Sequence, residues 1–164
     1  MLRYPTIERL REVLDYDPKT GKFYWKIRTA YCTKIGAEAG SVGGNGYVKI
    51  QIDGVVCQAH ILAWMYVYGR RARLDHRDLD KTNNRITNLR KCTPTQNNAN
   101  SPKRAGTSSV FKGVTWNKKV GRWQASIKMN GKNTHLGIFV VEAEAGAAYI
   151  AAANKKFGQF ARAA

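Results

Sequence analysis

The chain has 164 residues, with 28 Lys and Arg against 11 Asp and Glu and a formal charge of +17. That length admits one domain or two small ones, and a charge so lopsided excludes an ordinary balanced surface and implies a polyanionic partner. No apolar run is long enough to cross a membrane and Met1 to Pro5 open no secretory signal, so a soluble, intracellular protein is expected, with no membrane partner. The three cysteines, Cys32, Cys57 and Cys92, are odd in number and never form a C-x-x-C pair. They read as free thiols in a reducing compartment, which leaves out a disulfide framework and a structural zinc.

Thr6 to Leu14 predicts a short amphipathic helix, capped by Thr6, with Ile7, Leu10, Val13 and Leu14 on one face. Asp17-Pro18-Lys19-Thr20-Gly21 is turn chemistry, and Lys22 to Lys26 is rich in strand formers. Gly43-Gly44-Asn45-Gly46 leads to an alternating strand over 47–52. Asp53-Gly54 then turns the chain into Val55-Val56-Cys57, a strong hairpin signal. Gln58 to Tyr68 is apolar nearly all round and predicts a buried helix ending at Gly69. The Asp75-His76 element, then a loop, then a strand around Ile86 to Arg90 follow. Thr93-Pro94-Thr95-Gln96 combines a capping box with proline at the first helical position, so a helix starts there with Asn97 in its first turn. Residues 101–108 are polar, basic and broken by Pro and Gly, a linker by composition. Beyond it, Phe111 to Trp116, Arg122 to Lys128 and Asn133 to Phe139 predict a three-stranded meander turning at Gly121 and Asn130-Gly131. Glu142 to Asn154 predicts one alanine-rich helix with acids in its first turn and Lys155-Lys156 at its end. The fold class is α+β, in two modules.

Residues 81–141 contain no Asp or Glu, and immediately before them stands Leu74-Asp75-His76-Arg77-Asp78-Leu79-Asp80. An imidazole can take a proton from water near neutral pH, a carboxylate and an amide can hold one hard divalent ion, and cations on every side suit phosphates. Asp78 and Asp80 read as loop acids or turn formers. Asp75-His76, Asn84-Arg85-Ile86-x-Asn88-Leu89-Arg90 and Gln96-Asn97-Asn98-x-Asn100, with Ala59-His60-x-Leu62-Ala63-Trp64 upstream, resemble the ββα-metal core of HNH endonucleases over about residues 58–100. The likeness is greatest to the phage and intron-encoded homing branch. It implies His76 as general base, Asp75 and Asn97 as ligands of one Mg²⁺ or Mn²⁺ ion, and Asn88 as the residue that ties the loop. His60 is a packed helix histidine or a support for the site, and the chain is expected in a bacterial or phage-host cytoplasm.

A second resemblance covers residues 108–160. Ser109 to Trp116, Gly121 to Ile127, Leu136-Gly137-Ile138-Phe139 and Glu142 to Ala153 are similar to the Apetala-type, or ethylene-response-factor, DNA-binding domain. That domain lays a three-stranded sheet in the major groove of double-stranded DNA. By this likeness Lys112, Thr115, Asn117, Arg122, Trp123, Ser126, Lys128 and His135 face the groove. Trp116 and Trp123 could equally be core residues. The plant domains carry arginines where this chain has Thr115 and Asn117, and a tryptophan where it has His135.

Together these expectations give an HNH nuclease module over 1–100, a linker over 101–108 and a DNA-reading module over 109–164. Residues 1–100 carry 17 basic and 9 acidic side chains and residues 101–164 carry 11 and 2, so both halves should meet the same partner. The expected activity is metal-dependent, sequence-targeted DNA hydrolysis by a monomer or dimer. The rival readings are a DNA-binding regulator with a vestigial nuclease core and a structure-selective nuclease.

Overall fold

The computed structural model of the chain describes residues 4–31, 33–103, 105–129 and 131–162. Cys32 and Asn130 of the sequence reading, with Arg104 of the expected linker, lie outside the described residues. Four α-helices and four small antiparallel sheets are described. They divide into two compact units, Met1–Lys91 and Cys92–Ala164. The helix that starts at Pro94, expected with the N-terminal module, thus groups with the C-terminal residues. No described helix is long and apolar enough to cross a membrane.

In the N-terminal unit, α1 (Ile7–Val13) begins as expected, with Thr6 Oγ1 accepting from the Arg9 N–H at 3.2 Å. It buries Leu10 and Val13. The chain leaves it directly into β1 (Leu14–Asp17), which pairs with β2 (Lys22–Trp25). Leu14, expected as the last helical residue, is the first of this strand. Three residues, Asp15-Tyr16-Asp17, then precede Pro18, whose ring disfavours the helical conformation before it. A sheet follows in the order β3 (Ser41–Val42), β4 (Val48–Ile52), β5 (Val55–Gln58). Asp53 and Gly54 turn the hairpin with φ of 48° and 79°, as the primed turns require. β5 passes without a break into α2 (Ala59–Tyr68), which Gly69 ends in the left-handed conformation. Burial of α2 against α1 and the sheet around Ile50, Ile52, Leu62, Ala63 and Phe23 makes the core.

One element differs from expectation. Asp75 and His76 lie in β6 (Leu74–His76), and its partner is β7 (Leu89–Lys91), which begins three residues after Ile86. The cause is local: the Asn88 N–H donates to Arg85 O at 2.9 Å and the Leu89 N–H to Ile86 O at 3.3 Å, closing a turn where a strand was expected.

The segment between β6 and β7 rests on the β1–β2 turn. Tyr16 Oη donates to Asn84 O at 2.8 Å and Arg85 Nε donates to Lys19 O at 2.6 Å. Gly21 has φ of 77°, and a Cβ there would stand 2.4 Å from Arg85 N and 2.6 Å from Asn84 C. Glycine is therefore required twice, by its dihedral and by the approach of another backbone. Gly21→Ala should destabilise the N-terminal unit by about 2–4 kcal/mol, read as a fall in the midpoint of urea unfolding. An unchanged midpoint would show that the turn does not bear on the loop.

The C-terminal unit holds α3 (Pro94–Asn100), then β8 (Val114–Asn117), β9 (Arg122–Met129) and β10 (Lys132–Phe139) in the order β10-β9-β8. The expected meander is thus present. α4 (Glu142–Phe157) covers one face, burying Ala145, Tyr149 and Ala153 against Val114, Ala125 and Ile127. Tight packing is set by Gly146, where a Cβ would meet the Phe111 ring at 2.6 Å. Ser109, the first residue after the expected linker, is buried, and its Oγ donates to Glu142 Oε1 at 2.7 Å, which also accepts from the Val110 N–H at 2.8 Å.

Candidate active site and nucleic-acid interface

Register places Asp75 opposite Arg90 and His76 opposite Leu89. Alternation along a strand sends adjacent side chains to opposite faces, so Asp75 and His76, both about 5–6% exposed, meet different surroundings. Asp75 Oδ2 accepts from Arg90 Nε at 2.9 Å and lies 2.8 Å from Arg90 Nη2, with both side chains buried. A buried ion pair of this kind is most costly to break from one side only.

His76 belongs to an aromatic cluster. Its Nε2 lies 3.2 Å from Asn84 Oδ1, its ring is 5.1 Å edge-on from that of His60 and 5.9 Å from that of Tyr47. Tyr47 in turn lies 5.1 Å from His60, and Lys81 Nζ sits 4.9 Å over the Tyr47 ring. His60 comes from the first turn of α2, and its Nδ1 is buried with no hydrogen-bond partner among the described residues. The expected hydrogen-bonded helix histidine is therefore packed but not bonded at that atom. Burial, with the neighbouring His76, pushes the His60 pKa down to about 3.

The loop from Arg77 to Asn88 is bonded to itself. Asn88 Nδ2 donates to Asp78 Oδ1 at 2.9 Å and to Asn83 O at 2.8 Å, while Asn88 Oδ1 accepts from the Asp78 N–H at 3.3 Å. Asp78 also accepts from Asn83 Nδ2 at 2.6 Å, and Asp80 Oδ1 accepts from Thr82 Oγ1 at 2.6 Å. Both acids are turn formers. Burial works against the Asp78 charge, but the Asn83 and Asn88 amides and the Asp80 N–H outweigh it and hold its carboxyl below the usual range.

Asn97 lies in α3, whose capping box forms as expected: Thr93 Oγ1 accepts from the Gln96 N–H at 3.2 Å and Gln96 Oε1 accepts from the Thr93 N–H at 2.8 Å. No group of three or more His, Cys, Asp or Glu that could hold a metal occurs among the described residues. A single carboxylate and an amide, both oxygen donors, nevertheless suit a hard divalent ion that retains several waters. Cys57, which is buried, and Cys92 form no disulfide among the described residues.

On the C-terminal sheet the pairs Thr115–Gln124, Asn117–Arg122, Asn133–Lys128 and His135–Ser126 share the face away from α4. Of the eight residues expected to face DNA, six are on this open face. Trp123 is not: it pairs with Trp116 and Phe139 and packs on the helix side, because its neighbours Ala125 and Ile127 on alternate positions are buried there. Lys112 is not either. It precedes β8, and its Nζ donates to Asn98 O, Ala99 O and Ser101 O, each at 2.8 Å, so it closes the C-terminal end of α3. Gln124 and Asn133 join the open face unforeseen, and register alone identifies them. Tyr47, Lys81, Asn84 and Arg90 were likewise missed near His76 and Asp75. Tyr47 and Lys81 carry no motif signal, whereas Asn84 and Arg90 stood inside the quoted pattern without a role.

A family model described as HNH endonuclease matches residues 57–99, from the end of β5 to α3. No curated protein and no solved structure gives a significant match to the chain. The match supports a nuclease, a hydrolase acting on DNA, and it runs through every residue of the β6–β7 ribbon and its loop.

Because His60 stays neutral when folded but has an ordinary value of 6.5 when unfolded, the unfolded chain binds a proton first as pH falls. This part of the stability is whole above about pH 6.5, declines on acidification and levels off below about 3. By pH 5 it amounts to about 2 kcal/mol lost. His60→Phe should flatten that part of the pH dependence in urea unfolding, and an unaltered slope would contradict the buried neutral imidazole.

Proposed function

We propose that the chain is a metal-dependent DNA endonuclease of homing type, in which the N-terminal unit and α3 supply the chemistry and the C-terminal sheet reads the target. The observation that carries this reading is His76, a buried imidazole with its Nε2 against an amide oxygen, adjacent in sequence to Asp75 and inside the HNH match. A phosphodiester has no proton to lose, so water must be activated. His76 would take the proton as the water oxygen bonds phosphorus and the bond to one sugar oxygen breaks. Asp75 and Asn97 would hold one Mg²⁺ or Mn²⁺ ion, which when bound stabilises charge on the phosphate oxygens. Arg90 would fix the Asp75 carboxylate, Asn88 would hold the loop, and His60, neutral and in edge contact, would support the His76 ring.

Reading of double-stranded DNA would fall to Thr115, Asn117, Arg122, Gln124, Ser126, Lys128, Asn133 and His135. This is supported by their common face and by the absence of any Asp or Glu from residues 81–141, so that the acids of α4, Glu142 and Glu144, follow the sheet in the chain. Trp123 and Lys112 drop out of that set for the packing and capping roles given above. An Apetala-type mode in the major groove fits a three-stranded sheet with one covering helix.

Purified protein incubated with supercoiled plasmid and Mg²⁺ should nick or linearise it, and EDTA should stop the reaction. His76→Ala should lower the rate by about 10²–10⁴-fold with DNA affinity nearly unchanged. Wild-type turnover in that variant would sink the assignment. Arg122→Ala separates two contacts: loss of a base contact should weaken binding by about 1–3 kcal/mol and relax preference at one position, whereas loss of a phosphate contact weakens all sequences alike. No change with any sequence would remove the sheet from the interface.

A further inference from the structure

We propose that Lys112 is a positioning residue for Asn97: its ammonium clasps the C-terminal end of α3 to the core of the C-terminal unit and so fixes the amide that would take the metal ion. This rests on the reading of Asn97 as a ligand. Of the two proposed ligands, Asp75 belongs to the N-terminal unit and Asn97 to the C-terminal one. Affinity for the ion then depends on the unit to which the reading of DNA is assigned, through a side chain that touches neither ion nor nucleic acid.

α3 needs such a clasp. It has 7 residues, about two turns, and a helix so short has little stability of its own. Its N-terminal end is satisfied by the Thr93–Gln96 box. At the other end the last carbonyls have no partner within the helix, and the usual means of closing it are missing. The last turn holds no basic residue, and Ser101-Pro102 follows where a glycine would let the chain turn back. Ser101 closes one carbonyl, that of Asn97, through its N–H at 3.1 Å and its Oγ at 3.0 Å. Asn98 O, Ala99 O and Ser101 O all accept from Lys112 Nζ, each at 2.8 Å. An ammonium has three hydrogens and no acceptor, so this one is fully used and keeps none for a phosphate. Its charge also lies where the helix dipole is negative.

The root of Lys112 is as fixed as its tip. Before it, the Phe111 N–H donates to Ser109 Oγ at 2.9 Å, and the Phe111 ring packs on Gly146 of α4. After it, Gly113 has φ of 72°, and its carbonyl accepts from the Ser126 N–H at 2.8 Å. A Cβ at Gly113 would stand 2.3 Å from the Tyr149 ring. Both neighbours of Lys112 are thus seated in the core of sheet and helix. Its stem runs from that core to the end of α3, where Asn98, whose carbonyl it holds, follows Asn97 in the chain. Outer partners that orient a ligand in this way commonly carry about 10–100-fold in metal affinity.

The test is Mn²⁺ binding to the full chain without DNA, followed by the fall of the free-ion signal in electron paramagnetic resonance. Asn97→Ala should weaken binding, and Lys112→Met, which keeps the stem and removes the ammonium, should weaken it by about 10–100-fold. In the Asn97→Ala background Lys112→Met should add little, because two changes that act through one ligand are not independent. In plasmid nicking Lys112→Met should raise the Mg²⁺ concentration for half-maximal rate by a like factor, with the rate at saturating Mg²⁺ and the DNA Kd in EDTA near wild type. Unchanged Mn²⁺ affinity in Lys112→Met overturns the inference, and so does a loss that adds in full to that of Asn97→Ala. Weaker binding to DNA with metal affinity unaltered also overturns it, by making Lys112 a phosphate contact. Should Lys112→Met not fold, Lys112→Gln, which keeps two N–H donors without the charge, is held to the same outcomes. A wild type that takes up no Mn²⁺, or an Asn97→Ala protein that takes it up as well as wild type, overturns the ligand reading itself. Weakened binding in Asn97→Ala with none in Lys112→Met overturns the inference alone.

Discussion

The pairing of Asp75 with Arg90 across the β6–β7 ribbon is the constraint on which the N-terminal site hangs. Register in an antiparallel pair is all or nothing, since a slip of one residue exchanges the two faces. With a carboxylate opposite a guanidinium, both buried, any other register would strand a charge out of water. Once that register is set, His76 must lie opposite Leu89, on the face where Asn84, His60 and Tyr47 meet it. The ends of the intervening loop are fixed by the same pairing, and Asn88 fills its middle with bonds to Asp78 and Asn83. Polar groups thus hold one another where an apolar core could not reach.

The second unit is organised by a different rule. A sheet covered on one side by a helix has one face that must be apolar and one that is open to solvent. Glycines at 113 and 146 let the helix and sheet approach closely, and the alternate positions of β9 divide cleanly between buried Ala125 and Ile127 and exposed Arg122 and Lys128.

Much of this was legible in the chain. The Thr6 cap, the Asp53-Gly54 turn, the apolar helix ending at Gly69 and the Thr93 capping box are local signals, and each formed where its chemistry sits. Asn88 bonds within the loop to Asp78 and Asn83. What escaped was decided at a distance. β1 forms only because β2 is there to pair with it, and Ile86 turns because Asn88 and Leu89 bond back across it. The resemblance puts Lys112 in the groove, and nothing in its neighbourhood announces that the end of α3 will take its amine. Trp123, open between groove and core in the sequence, falls to the helix side by one step of the pleat, which composition cannot resolve between two faces that both accept aromatics.

The seat of the loop on the β1–β2 turn has a bearing on how small this molecule can be made. A family signature running from 57 to 99 invites the view that those residues are a portable catalytic cassette. Yet Tyr16, Lys19 and Gly21, far upstream, carry the backbone of Asn84 and Arg85. The recognisable segment is therefore a part without its foundation. Grafted alone into another scaffold it would take along the motif and leave behind the surface that gives the motif its shape, so the unit of inheritance here is longer than the unit of resemblance.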